Sequence, residues 1–256
     1  MRYFIHFAYD GTAYHGWQVQ PNADSVQAHL NSALSLLLRE SVETLGAGRT
    51  DAGVHAKEMY AHFDVERPID CRQLTYKLNR LLPPDISVYD VRPVKSEAHA
   101  RFDALSRTYH YFVTTQKMPF RRQYAMRLMF PVDFEAMNRA AQHLLEVSDF
   151  ASFSKVDTDA KTSICDVTEA RWTEVENGVW RFEITANRFL RNMVRAVVGT
   201  LLDVGRGRLT YEQFCDVVAK HSRCAAGESV PAQGLFLVRV RYPENLFLTD
   251  EQGQNS

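Results

Sequence analysis

RYFIHFAYDGTAYHGWQVQPNADSVQAHLNSALSLLL, residues 2–38, is the stretch from which the fold can be read. Residues 2–10 alternate, with Tyr3, Ile5, Phe7 and Tyr9 on one face, which is the period of a half-buried strand. Residues 11–21 break that period with glycine, amide and aromatic side chains, a loop composition. Asp24 followed by Gln27 predicts a capping box, and the helix after it carries Val26, Leu30, Ala33, Leu34 and Leu37 on one stripe. Downstream the spacing predicts a strand over 59–65, a helix over 71–81 stopped by Pro83-Pro84, and a strand over 86–91. The first half thus follows the split βαβ plan, with mainly antiparallel pairing.

The second half repeats the mixture. A strand is predicted over 108–114 and an amphipathic helix over 134–145, and two strands flank the Asn177-Gly178 turn, a hairpin signal. A long helix is expected over 189–204 and a shorter one from Thr210, whose capping partner is Gln213. Residues 235–240 supply a last strand, and the polar stretch 249–256 reads as frayed. The expected halves are 1–105 and 106–256, two α+β units meeting at a cleft.

Composition narrows the function classes. The 256 residues are 45% hydrophobic and 24% charged, ordinary for a water-soluble globular chain. No apolar run approaches the ~18 residues of a membrane span, and the N-terminus lacks a signal peptide's apolar block. The four cysteines (Cys71, Cys165, Cys215, Cys224) are scattered, predicting a reduced, cytoplasmic setting and no metal. Net charge is −1, yet the 30 basic residues are 23 arginines and 7 lysines. Arginine suits bidentate phosphate contacts and base stacking, although genome composition could produce the same bias.

The segment GAGRTDAGVHA, residues 46–56, places Asp51 between an Arg-Thr pair and small residues, with no other carboxylate before Glu58. It presents one carboxylate beside the Arg49 guanidinium, or else it is a plain turn in which Asp51 bonds its own backbone. On a helix, Arg188, Arg191 and Arg195 would share one face at i, i+3, i+7, away from the Leu190, Val194, Val197 and Leu201 stripe. Arg121, Arg122, Arg127, Arg206 and Arg208 offer further cations for phosphates. Tyr109 and Tyr111 share a strand face, where a tyrosine is core or, in a nucleobase pocket, a stacking ring and proton donor. Residues 14–18 (YHGWQ) admit either RNA contact or loop packing. The DGT at 10–12 resembles that of aspartyl-phosphate phosphatases, but their nucleophile would fall on Ala8. HExxH, P-loop and GxSxG motifs are absent.

Seven blocks in order carry a family resemblance: YDGTAYHGWQVQ (9–20), GRTDAGVH (48–55), LNRLLPPDI (78–86), ARFDA (100–104), RTYHY (107–111), ANRFLRNMVRAVVG (186–199) and PAQGLFL (231–237). The chain resembles the TruA-type tRNA pseudouridine synthases. That resemblance implies a fold of two ferredoxin-like (RRM-like) halves side by side around a central basic cleft. It implies conversion of uridine to pseudouridine at positions 38, 39 and 40 of the tRNA anticodon stem-loop, without cofactor or metal, by a homodimer. The alternatives are an RNA-binding protein without the reaction and a relative acting on other RNAs. By the resemblance Asp51 is the nucleophile, attacking the sugar carbon or taking a ribose proton. Arg195 pairs with it, Arg49 extrudes the base and takes its place, and Tyr109 stacks on the uracil and assists loss of the C5 proton. His55, Arg101 and Lys155 are the further RNA contacts expected.

Overall fold

A computed structural model describes residues 1–155 and 162–248, and the terminal stretch 249–256 lies outside the described residues. Among the described residues, nine strands and five α-helices alternate in an α+β order. Contacts divide the chain into two compact units, 1–105 with 237–256, and 106–236.

In the first unit β1 (Arg2–Tyr9) buries Tyr3, Ile5, Phe7 and Tyr9, as its alternation predicts. Phe4, on the opposite face, is also buried, because Tyr242 and Phe247 cover it. Helix α1 (Val26–Leu38) is capped by Ser25, whose hydroxyl accepts from the Ala28 N–H. The Asp24–Gln27 capping box is therefore not formed. Asp24 pairs with His29 at 2.9 Å, and the Gln27 amide is drawn inward to donate to the Thr44 carbonyl at 2.6 Å. Strand β2 (Leu45–Gly46) is short, and β3 (His55–Asp64) begins four residues earlier than periodicity predicts. Helix α2 (Cys71–Leu81) is capped by Asp70 and ends before the proline pair. Strand β4 (Ile86–Pro93) closes this part. β1 pairs antiparallel with both β3 and β4, and β2 joins the edge of β3 that β1 leaves open. That order, β4-β1-β3-β2, is the split βαβ arrangement.

In the second unit β5 (Ser106–Thr114) pairs in parallel with β6 (Met126–Arg127) and antiparallel with β8 (Val179–Ala186). β8 also pairs with β7 (Val167–Glu176), across a turn in which Gly178 has φ +73°. Helices α3 (Phe134–His143) and α5 (Tyr211–Ala219) carry the Asp133 cap and the expected Thr210–Gln213 capping box. Helix α4 (Met193–Gly205) starts four residues later than predicted. Asn192 is left-handed at φ +66°, which breaks the helical path, and the Arg191 carbonyl accepts from the Lys155 N–H. Arg188 and Arg191 therefore lie outside the helix and share no face with Arg195. α4 is buried almost all round, as an apolar helix in a core must be. Strand β9 (Leu235–Arg241) runs from this unit into the first, where it neighbours β3. Among the described residues no helix is long and apolar enough to cross a membrane.

Candidate active site

Asp51 sits at the head of a four-residue turn closed by the Val54 N–H on the Asp51 carbonyl at 3.2 Å. Gly53, at φ +76°, occupies the third position, where a type II turn demands a left-handed residue. The turn is fixed from outside as well. The Gly53 N–H donates to the Tyr14 carbonyl at 3.2 Å, and Thr50 Oγ1 accepts the Trp17 N–H at 3.1 Å while sharing a hydrogen bond with the Tyr9 hydroxyl at 2.9 Å. Asp51 itself is half-buried and Arg49 is exposed.

This clamp works because loop 10–18 meets the Asp51 loop backbone to backbone. A Cβ on Gly16 would stand 2.2 Å from the Thr50 carbonyl oxygen, and one on Gly11 would stand 2.0 Å from that of Val54. Gly16 also has φ +93°. Within the Asp51 segment itself a Cβ on Gly46 would stand 2.6 Å from the Trp17 indole nitrogen. A Cβ on Gly48 would meet nothing within 4 Å.

The 14–18 block is a packed loop. Trp17 is 1% exposed, and the buried Tyr14 donates its hydroxyl hydrogen to Asp85 at 2.6 Å. Burial, and then that carboxylate, push the Tyr14 phenol well above its usual range. His55, expected to touch RNA, is 2% exposed. Its Nδ1 accepts the Gly11 N–H at 3.1 Å and lies 3.0 Å from Asp10 Oδ1. With Nδ1 occupied by Gly11, Asp10 is held instead by the N–H and hydroxyl of Thr12. A buried imidazole tied to the neighbouring loop supports the Asp51 loop from behind and has no surface to offer RNA. Arg101 is exposed in the loop before β5, its guanidinium carbon 5.8 Å from the Phe102 ring centroid.

In the second unit, Tyr109 and Tyr111 share a face of β5 but differ in burial. Tyr111 is fully buried, and its hydroxyl donates to the Pro231 carbonyl at 2.9 Å. Burial raises its phenol far above the ordinary range, with the nearby Arg195 charge acting the other way. Tyr109 is half-buried with its ring edge-on to Phe189, centroids 5.0 Å apart at 84°. Arg195 lies in the first turn of α4. Its Nε donates to the Val230 carbonyl at 2.7 Å while its own carbonyl accepts the Val230 N–H at 3.2 Å, so the plane of the guanidinium is fixed. The strap 227–231 lies flat on α4, since the Gly227 N–H donates to Thr200 Oγ1 and a Cβ on Gly199 would stand 1.8 Å from the Glu228 carbonyl oxygen. Lys155 is exposed. Of the other arginines, Arg121 pairs with Glu176, Arg206 lies over the Phe130 ring at 3.6 Å, and Arg208 meets Asp203 at 3.4 Å. Thr50, Gly11, Gly16 and Val230 escaped the sequence reading. The glycines at 11 and 16 were the only local signal, since Thr50 and Val230 act through contacts distant in sequence.

The family model described as tRNA pseudouridine synthase matches residues 5–103 and 140–243. The tRNA pseudouridine synthase A of Bacteroides thetaiotaomicron is 60% identical over 248 residues, covering 96% of this chain and 92% of that protein. The protein of the same name from Bacteroides fragilis is 57% identical, with 96% and 98% covered. That of Bacillus subtilis is 38% identical, with 94% and 99% covered.

Proposed function

The chain belongs to the tRNA pseudouridine synthase family, and on that premise we propose that it isomerises uridine to pseudouridine at positions 38, 39 and 40 of the tRNA anticodon stem-loop. In this reaction the bond between ribose C1′ and uracil N1 breaks and one between C1′ and C5 forms. The C5 proton is lost and N1 gains one, so no oxidant or cofactor is needed. The target uridine must leave its stack to be reached. Asp51 is the nucleophile, or the base for a ribose proton. The observation that carries this assignment is the clamp on its loop, in which two glycines of another loop admit backbone contact and Thr50 is bonded from both Tyr9 and Trp17. A carboxylate so placed keeps its aim through the reaction, which is the preorganisation that covalent catalysis needs.

Arg195 is the cation assigned to the nucleophile, and its attachment to Val230 supports a fixed orientation for that task. Tyr109 stacks on the uracil and assists removal of the C5 proton, with Phe189 steadying its ring. Arg49 takes the place of the extruded base, and its exposure agrees with that role. Lys155 and Arg101 meet the RNA, whereas His55 is a positioning residue behind the loop. The enzyme acts in the cytoplasm, a setting its scattered cysteines support, and as a homodimer with tRNA laid across both subunits, as the family resemblance implies.

Asp51→Asn tests the reading. Tritium release from tRNA labelled at uridine C5 is expected to fall at least about a thousandfold, the scale of losing a covalent nucleophile. tRNA affinity should stay within about threefold of the parent. Turnover retained in this variant overturns the assignment.

A further inference from the structure

Residues 98–104 (AHARFDA) form a loop that faces two ways. Ala98, Ala100 and Ala104 are buried, the first two against Phe4, Val94 and Leu246, while His99, Arg101 and Phe102 turn outward. Its backbone is committed almost throughout. Asp103 accepts the His99 N–H at 2.7 Å and returns its own N–H to the His99 carbonyl at 3.0 Å. His99 Nδ1 accepts the Arg101 N–H at 3.1 Å, His62 Nδ1 accepts the Ala100 N–H at 3.1 Å, and the Tyr242 hydroxyl donates to the Ala100 carbonyl.

On this frame stands a ladder of rings running from the core to the surface. Phe4 to His62 is 6.2 Å between centroids, His62 to His99 is 4.5 Å, and His99 to Phe102 is 4.3 Å. Phe102 ends it at 74% exposed, with the Arg101 guanidinium alongside. A loose loop would fold such a ring away from water; this one is pinned outward by its own hydrogen bonds. An exposed ring backed by His99, with the guanidinium carbon of a permanent cation 5.8 Å from its centroid, matches a flat base carrying a phosphate.

We propose that Phe102 and Arg101 form a stacking site for an unpaired nucleotide of the RNA substrate, apart from the uridine that reacts. The base lies on the outer face of Phe102 and the phosphate meets Arg101. This rests on the reading of the protein as one that acts on tRNA.

Binding of an unmodified tRNA transcript to the full chain, measured across a salt series, tests it. Phe102→Ala should weaken binding about tenfold, the usual effect of losing one stacked base. Its salt slope should not change, because stacking releases no counterion, and its melting temperature should stay at the parent's, because the ring is exposed. Phe102→Trp should bind within about twofold of the parent. Arg101→Ala should lower the salt slope by about one. Parental affinity in Phe102→Ala overturns the stacking site alone, and so does loss of self-association in that variant, which would make Phe102 a contact between copies of the chain. A parent protein that binds no tRNA overturns the functional reading along with it.

Discussion

At the scale of single residues, the decisive contacts around Asp51 are those where no side chain fits. Gly16→Ala would force a Cβ to 2.2 Å from the Thr50 carbonyl oxygen at a φ that L residues rarely adopt. Such strain costs about 1–3 kcal/mol, and the loops would part to relieve it. We expect a lower melting temperature together with a fall of at least about tenfold in single-turnover tritium release. Gly48→Ala, which meets open space, should leave the melting temperature unchanged. Thermal denaturation of the two variants side by side checks the contrast. His62 makes a second prediction, this time in pH. Burial, with His99 and Arg2 nearby, depresses its pKa from 6.5 to about 4, and its neutral Nδ1 accepts the Ala100 N–H. The unfolded chain therefore binds the proton more readily than the folded one, so protonation favours unfolding. Its part in stability is intact above pH 6.5 and is lost as pH falls towards 4. His62→Asn, whose amide oxygen can accept the same N–H, should flatten this pH dependence. Urea midpoints for both proteins at pH 7, 6 and 5 would decide, and parallel curves would count against the mechanism.

At the scale of elements, α4 and the strap 227–231 form one device. Gly199 lets the strap lie on the helix, and the strap's Val230 then fixes Arg195. Gly199→Ala would push the Glu228 carbonyl away, at about 1–3 kcal/mol for overpacking. It should lower activity by at least about tenfold with the helical content retained, as Arg195→Lys should, since each displaces or removes the guanidinium while α4 itself persists. Circular dichroism and tritium release on the two variants test this, and a Gly199→Ala protein with parental turnover would count against it. These contacts also show what a sequence can and cannot reveal. The strands and helices whose periodicity is local, such as β1, α2 and the β7–β8 hairpin, could be read directly from apolar spacing and turn residues. The start of α4 could not, because residues 189–192 are apolar and basic in helical order, yet the left-handed Asn192 and the Lys155 contact end the pattern. The cap of α1 was missed for a similar reason. Asp24 and Ser25 are both good caps, but Asp24 is taken up by His29 and Gln27 by the Thr44 carbonyl, and the Ser25 hydroxyl caps the helix. In the candidate site the blocks singled out Asp51, Arg195 and Tyr109 but not the contacts that hold them, such as Val230 on Arg195. The burial of His55 was not, because nothing near it in sequence shows that Gly11 would occupy its ring nitrogen.

At the scale of the molecule, the first unit is built from two separated parts of the chain. Residues 237–248 supply the Val240 N–H to Glu58 at 2.7 Å, the Arg241 carbonyl to Leu105, and the rings of Tyr242 and Phe247 over Phe4. Leu237, Val240, Tyr242, Leu246 and Phe247 together contribute on the order of 10 kcal/mol of apolar burial. That is as much as a whole domain's net stability. A stop codon after Phe236 should therefore abolish protection of β1 and β3 amides in hydrogen exchange while leaving protection in β7 and β8. Full protection in β1 would show that the tail is dispensable. The same split has a consequence during synthesis. As the nascent chain leaves the ribosome, residues 106–236 are complete while part of the β3 edge still lacks the strand that will cover it. An open strand edge is a template for pairing with any neighbouring chain. The moment of greatest risk for aggregation therefore falls after the body of the second unit has left the ribosome and before β9 has followed it.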